Sequence, residues 1–166
     1  MVIGGVAASV LGRPRLTQDI DALIILGEDQ WGSVVAQAEK FGIVPRIDSA
    51  LDFARRARVL LLRHLESGID IDISLGGLSF EHGAISRSTV HDVGGIRVRL
   101  PRVEDLIVMK AIAHRSKDMQ DIEGLLAAHP NVDMKFIRQW VREFANAMTM
   151  PDLIEDFEQL AGQYAR

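Results

Sequence analysis

The chain has 166 residues, no cysteine, 19 lysines and arginines against 23 aspartates and glutamates, and a formal net charge of −4. That length fits one compact domain with a small appended part. The lack of thiols excludes a disulfide framework, a thiolate zinc site and a catalytic cysteine, and the acidic balance means that any polyanion must be held at a local basic site.

With 48% hydrophobic and 25% charged residues the composition is that of a folded globular protein. No run reaches the ~18 uninterrupted apolar residues a membrane span requires, and the N-terminus lacks the charged and apolar regions of a signal peptide. No membrane partner and a cytoplasmic location are therefore expected.

In chain order, Val2 and Ile3 run into a Gly4-Gly5 turn, and Val6 to Leu11 reads as a brief helix before the polar loop from Gly12 to Gln18. Asp19 to Leu26 alternates acid with apolar in its first half and is continuously apolar in its second, the pattern of a central strand leaving a solvent cleft for a core. Trp31, Val34, Val35, Ala38 and Phe41 recur at helical spacing until Gly42, which predicts a cover helix with these side chains inward. Ile43 to Ile47 reads as an edge strand, because Pro45 has no amide donor.

Val59 to Leu65 and Ile69 to Leu75 flank a Glu66-Ser67-Gly68 turn, and Val90 to Val93 and Ile96 to Leu100 flank Gly94-Gly95, predicting two antiparallel hairpins. From Pro101 onward the strands cease. Helical pattern runs through His114, from Ser116 to Ala128, from Asp133 to Met148 and from Pro151 to Ala165. The fold class is α/β of the α+β kind: a mixed β-sheet with flanking helices over residues 1–100, and a C-terminal helical portion over 101–166 packed on it as a single compact unit.

Asp19 and Asp21, two apart on a strand, project from one face. A like-charged pair of this kind is either solvated or shares a hard cation such as Mg²⁺. Ile69-Asp70-Ile71-Asp72-Ile73 repeats the alternation on a second strand able to supply a third ligand; Asp72 is preferred because it lies deeper in the apolar run, with Asp70 the alternative. Gly4-Gly5 lets backbone amides approach a phosphate at the start of a helix. Ser9 adds a hydroxyl, and Arg13, Arg15 and Thr17 offer guanidinium and hydroxyl donors to phosphate oxygens.

Other features read as structural. Lys110 borders the apolar stripe of Leu106 and Ile107, from which a lysine can snorkel. Lys117 with Asp121 and Arg115 with Asp118 have the spacing of surface ion pairs as well as of a functional run. The five histidines show no metal-ligand spacing, though His114 is the one nearest in sequence to the basic run. Trp31, Phe41, Phe136, Trp140, Phe144 and Phe157 fall on apolar helix faces as core.

Gly4-Gly5, thirteen residues and then Asp19-Ile20-Asp21, with Arg15-Leu16-Thr17-Gln18 leading in, resembles the signature of the nucleotidyltransferase superfamily. The runs from Val103 to Ala111 and from Arg115 to Ile122 are similar to later motifs of its AbiEii-like, abortive-infection toxin branch. The resemblance implies an enzyme that moves a nucleoside monophosphate from an NTP to a hydroxyl acceptor, with Mg²⁺ or Mn²⁺ held by Asp19, Asp21 and Asp72. It further implies Lys110 supporting the nucleotide phosphates, an acceptor that is RNA or a protein, and a toxin partnered by an antitoxin. The alternative is a non-catalytic relative that binds a nucleotide or a partner protein.

Overall fold

The computed structural model describes residues 1–164, so Ala165, the expected end of the last helix, lies outside the described residues. The chain divides into two compact units, one of residues 1–6 and 16–100, the other of residues 7–15 and 101–166. The helix α1 (Gly4–Leu11) crosses that division.

The first unit is built on a four-stranded mixed sheet ordered β1-β4-β3-β2, made from β1 (Asp19–Ile24), β2 (Ile43–Pro45), β3 (Val59–His64) and β4 (Asp70–Leu75). β1 and β4 run parallel, whereas β4 with β3 and β3 with β2 are antiparallel. β2 is an edge strand, as the missing amide of Pro45 requires. Period-two alternation divides the sheet into two chemically opposite faces. Leu60, Leu62 and Leu75 on one face pack with Trp31 and Ala54, and with Ile24, Ile71 and Ile73 at their margin. Trp31 and Ala54 come from α2 (Glu28–Glu39) and α3 (Ala50–Ala57), which cover that face and leave the acids on the other.

Phe41 departs from the expected cover helix. The chain tightens after Glu39 into turns in which Lys40, Phe41 and Gly42 donate to the carbonyls three residues back. That rotation carries Phe41 off the inner face, and it is 74% exposed. Two helices occupy stretches to which the sequence pattern assigns no element: α3, and α4 (Ser79–Arg87). Neither has a side-chain N-cap of the usual kind. Ser49 takes a left-handed φ of 52° ahead of α3, and Glu81 reaches back so that its Oε2 accepts the amides of Gly77 and Leu78 ahead of α4.

The strands β5 (Thr89–Val93) and β6 (Ile96–Leu100) form a separate antiparallel hairpin. Residues 1–3 lie along β1: Ile3 N–H donates to the Asp21 carbonyl at 2.9 Å, Leu23 N–H to the Met1 carbonyl at 2.8 Å, and Val2 N–H to the Arg99 carbonyl at 2.9 Å. A short N-terminal segment is thus tied to the backbone of the acid-bearing strand.

In the second unit, α5 (Val103–Ala113), α6 (Ser116–Ala128), α7 (Met134–Met148) and α8 (Asp152–Ala161) pack around Leu106, Ile107, Ile122, Leu125, Ile137, Leu153 and Phe157, all essentially without solvent exposure. Phe136, Trp140 and Phe144 are half-buried along α7 and lie ring against ring at 6.4 and 6.0 Å. No helix among the described residues is long and apolar enough to cross a membrane.

Candidate active site

The parallel register of β1 and β4 sets Asp19 opposite Asp70 and Asp21 opposite Asp72. Neighbouring strands run about 4.8 Å apart, so four carboxylates crowd one face of two adjacent strands. Such crowding is costly without positive charge, and its distribution separates the two candidates for third ligand. Asp70 is taken by two guanidinium groups, Arg63 Nε at 2.6 Å and Arg46 Nη1. The Arg63 hydrogen bond, with help from Arg46, holds the Asp70 carboxyl below the usual carboxylate range.

Asp72 goes the other way. Burial pushes its carboxyl up, and the negative charges of Asp21 and Asp19 push it further, so that Arg46, whose Nη2 lies 2.7 Å from Asp72 Oδ1, only partly compensates. Asp72 is therefore the acid that shares its field with Asp19 and Asp21 and lacks enough cation. An all-oxygen set of this kind suits a hard divalent ion such as Mg²⁺ or Mn²⁺. Among the described residues no three histidine, cysteine or carboxylate side chains close into a ready-made metal cage. The acids are aligned but held apart, with Arg46 on Asp72 and the Thr17 hydroxyl 3.0 Å from Asp19 Oδ1.

Gly4 belongs to this face. Its φ of +62° lies in the left-handed region, and a Cβ built there would overlap the Asp21 carboxylate. The absent side chain is what allows the backbone at the start of α1 to approach the acid. Gly5 follows it, buried.

The remaining site candidates of the sequence lie in the helical unit and are engaged there. Ser9 Oγ donates to the Arg15 carbonyl at 3.0 Å and accepts the Arg15 N–H at 3.4 Å, so this hydroxyl holds the loop backbone. Arg13 passes over Gly124 of α6, where an added Cβ would stand 3.2 Å from Arg13 Cβ. Arg15 grips Asp121 with two bonds, Nε to Oδ1 at 2.7 Å and Nη2 to Oδ2 at 2.9 Å.

Lys110, only 4% exposed, places Nζ 2.8 Å from Asp118 Oδ1 and 2.7 Å from Asp121 Oδ2. Its ammonium thus faces two carboxylates and does not snorkel to solvent. The helix-spacing expectation for Asp121 also needs correcting: its partners are Lys110 and Arg15, from distant positions, and not Lys117. Asp118 and Asp121 are buried and not surface decoration. Three of the histidines have these partners: His114 Nε2 lies 2.9 Å from Asp156 Oδ2, His129 Nε2 2.6 Å from the Leu11 carbonyl, and His64 Nδ1 2.8 Å from the Ser67 hydroxyl.

Sequence reasoning missed Arg46 and Arg63. The available signal was the pairing of an edge strand with a hairpin, which brings Arg46 and Arg63 onto the acid face; Arg63 stands opposite Asp70 in register.

Residues 1–161 match a family described as nucleotidyltransferase of unknown function (DUF6036). Among solved structures, the solution structure of the antibiotic-resistance factor ANT(2'')-Ia is similar at a TM-score of 0.57 and 15% identity, covering 89% of this chain and 82% of that one. A crystal structure of an antigenic nucleotidyltransferase-like protein from Paracoccidioides brasiliensis is similar at a TM-score of 0.47 and 12% identity, covering 95% and 83%. No curated protein matches. The likeness to ANT(2'')-Ia shows a nucleotidyltransferase fold.

Proposed function

Since the chain belongs to the nucleotidyltransferase family DUF6036, we propose that it transfers a nucleoside monophosphate from an NTP to an acceptor hydroxyl in a metal-dependent reaction. The observation that carries this is the register that sets Asp21 opposite Asp72 and Asp19 opposite Asp70 on one sheet face, with Gly4 against Asp21. Asp19, Asp21 and Asp72 would hold the cation, Mg²⁺ or Mn²⁺. When bound, it would neutralise charge on the phosphate oxygens and lower the pKa of the attacking hydroxyl.

The chain's own groups supply the rest. Asp72, whose carboxyl burial and its acidic neighbours push up, is the group suited to accept the acceptor's proton. As the acceptor oxygen bonds to the α-phosphorus, the bond from that phosphorus to the α–β bridging oxygen breaks and pyrophosphate leaves. Backbone amides at Gly4 and Gly5 would approach the phosphates at the N-terminus of α1. Arg13 and Arg15, on the loop that leads into β1, would bind the triphosphate tail, with Thr17 orienting Asp19 through its hydroxyl. By the family likeness, Lys110 is the further candidate for supporting the nucleotide phosphates.

The acceptor class that the AbiEii-like likeness supports is RNA or protein, with the chain acting as the toxin of a toxin–antitoxin pair. The test is incubation with each α-labelled NTP, Mg²⁺ and cellular RNA and protein, resolved by size. Label on one pool that is lost in Asp21→Asn and Asp72→Asn supports transfer; no label on either pool sinks it. Calorimetry then addresses the non-catalytic alternative, which predicts nucleotide binding indifferent to Mg²⁺ and to Asp19→Asn.

A further inference from the structure

One line across the sheet of the first unit joins an arginine to the acids. Arg46 follows directly on β2, and its N–H donates to the Leu61 carbonyl at 3.0 Å. Leu61 stands opposite Asp72 on β4, and Asp72 opposite Asp21 on β1. Arg46, Leu61, Asp72 and Asp21 thus form one rung, and residues directly opposite one another share a face. Reaching Asp72 from Arg46 means crossing two strand spacings of about 4.8 Å each, which suits the long stem of an arginine. The fork at its end takes Asp70 through Nη1, and Asp72 Oδ1 through Nη2 at 2.7 Å.

The two acids hold this guanidinium unequally. Asp70 gives both oxygens to arginines, Oδ1 to Arg63 and Oδ2 to Arg46, so it anchors Arg46 without depending on it alone. Asp72 has only Arg46, and Asp19 and Asp21 have no arginine or lysine partner among the described residues. Four carboxylates therefore face two guanidinium groups, and the deficit lies with Asp19, Asp21 and Asp72. The Arg46 side chain is 23% exposed and that of Asp72 31%, so a solute can reach the bond between them. A guanidinium has five N–H donors. Arg46 spends two on Asp70 and Asp72, and its side chain makes no other hydrogen bond among the described residues.

A divalent ion at Asp72 changes this balance. Octahedral oxygen ligands at about 2.1 Å from an ion lie about 3 Å from one another, and Nη2 already stands that near Asp72 Oδ1. An Asp72 whose charge is met by the ion no longer needs Arg46, and phosphate oxygens arriving with the ion offer the same fork a new anion. We propose that Arg46 is a switching phosphate ligand. Held by Asp70, it closes on Asp72 in the metal-free chain and turns Nη2 to a phosphate oxygen of the nucleotide once Asp72 is bound to the metal. This rests on the nucleotidyltransferase function proposed above and adds to it a triphosphate-binding residue on the same sheet. Arg63 is the positioning partner that keeps Asp70, and through it Arg46, in place.

Binding measured with and without nucleotide tests it. Mn²⁺ alone is titrated calorimetrically into the full wild-type chain and into Arg46→Met, where loss of the competing charge should tighten Mn²⁺ binding by at least about threefold. ATP, CTP, GTP and UTP analogues, with methylene in place of the α–β bridging oxygen so that no transfer occurs, are then titrated in saturating Mn²⁺. The one that binds the wild type best should bind Arg46→Met roughly 10- to 100-fold more weakly, the loss expected for a charge-assisted hydrogen bond. The substitution thus acts in opposite directions on the two ligands, which a residue that only holds the fold together does not do.

Mn²⁺ binding that is unchanged or weaker in Arg46→Met would overturn the proposal, because Arg46 would then not compete for Asp72. Unchanged nucleotide binding would overturn it too, leaving Arg46 a counter-charge only. In both cases the transferase function stands. If none of the four nucleotides binds the wild-type chain, both fall together. Should Arg46→Met fail to fold by circular dichroism, Arg46→Gln, which keeps a donor for Asp70 without the charge, replaces it in both titrations, with the same outcomes deciding.

Discussion

The carboxylate of Asp21 occupies the space into which any side chain on Gly4 would project. Two constraints coincide at Gly4, a left-handed φ of +62° and this close approach. Gly4→Ala must therefore both strain the backbone, at about 1–3 kcal/mol, and displace the acid or the start of α1. A displacement of this size at reacting groups is worth on the order of 100-fold in rate. The expected outcome is a lowered melting temperature and transfer activity reduced by at least that factor. Wild-type activity in Gly4→Ala would show that Asp21 tolerates the shift and is not a ligand.

Asp72 should be dispensable for folding and indispensable for transfer. Burial and the charges of Asp21 and Asp19 raise its carboxyl above the usual range. Keeping it ionised at neutral pH is therefore a net burden on the metal-free fold, despite the bond from Arg46. Asp72→Asn removes the charge and keeps an oxygen for Arg46. In EDTA its melting temperature should equal or exceed that of the wild type, while transfer falls roughly 100- to 10,000-fold. A marked drop in metal-free stability would instead assign Asp72 a structural role.

Period-two alternation was legible without coordinates, and with it the face shared by Asp19 and Asp21 and that shared by Asp70 and Asp72; that the two pairs lie on one face follows from the register of β1 on β4. What a single strand's pattern does not encode is who stands beside it. Arg46 reaches the acids from the edge of the sheet, and only the order β1-β4-β3-β2 brings it there. The choice between Asp70 and Asp72 rests on that neighbour as well as on depth, because burial raises the carboxyl of Asp72 while Arg63 and Arg46 hold that of Asp70 down. The same limit governs Asp121: helix spacing offered Lys117 as its partner, and tertiary packing supplied Arg15 from 106 positions away. Phe41 shows a different limit, since the tightening of the last helical turn rotates a side chain that periodicity alone directs inward.

Arg46 serves as the built-in counter-charge of the metal-free acid face, bonding Asp70 and Asp72 at once. Arg46→Met should lower metal-free stability by about 1–3 kcal/mol, as expected when bonds to charged partners are lost. Added Mg²⁺ should then raise the melting temperature more in the variant than in the wild type, because the ion replaces charge that the variant lacks. Equal Mg²⁺-induced shifts in the two proteins would mean that Arg46 and the cation act at unrelated places.

The cluster of Lys110, Asp118, Asp121, Arg15 and Arg115 in the helical unit predicts how the fold responds to acid. Burial pushes Asp118 and Asp121 up, but the hydrogen bonds and charges of Arg115 and Lys110 on the first, and of Arg15 and Lys110 on the second, outweigh it and leave both carboxyls below the usual range. A carboxyl depressed in the folded state contributes stability that is fully present above its unfolded value, about 3.9, and is lost as pH falls through the folded value. At neutral pH Asp121→Asn should be less stable than the wild type by about 3–5 kcal/mol, since it leaves buried cations short of a partner. Below about pH 4 the wild type loses its advantage while the variant has no such proton to take up, so the gap should narrow. Asp70, also depressed by its arginines, is common to both proteins and drops out of the difference. Urea unfolding of the pair from about pH 7 down to about pH 2.5 measures the gap directly, and a gap that stays constant through that range would mean that Asp121 is not held ionised by Arg15 and Lys110.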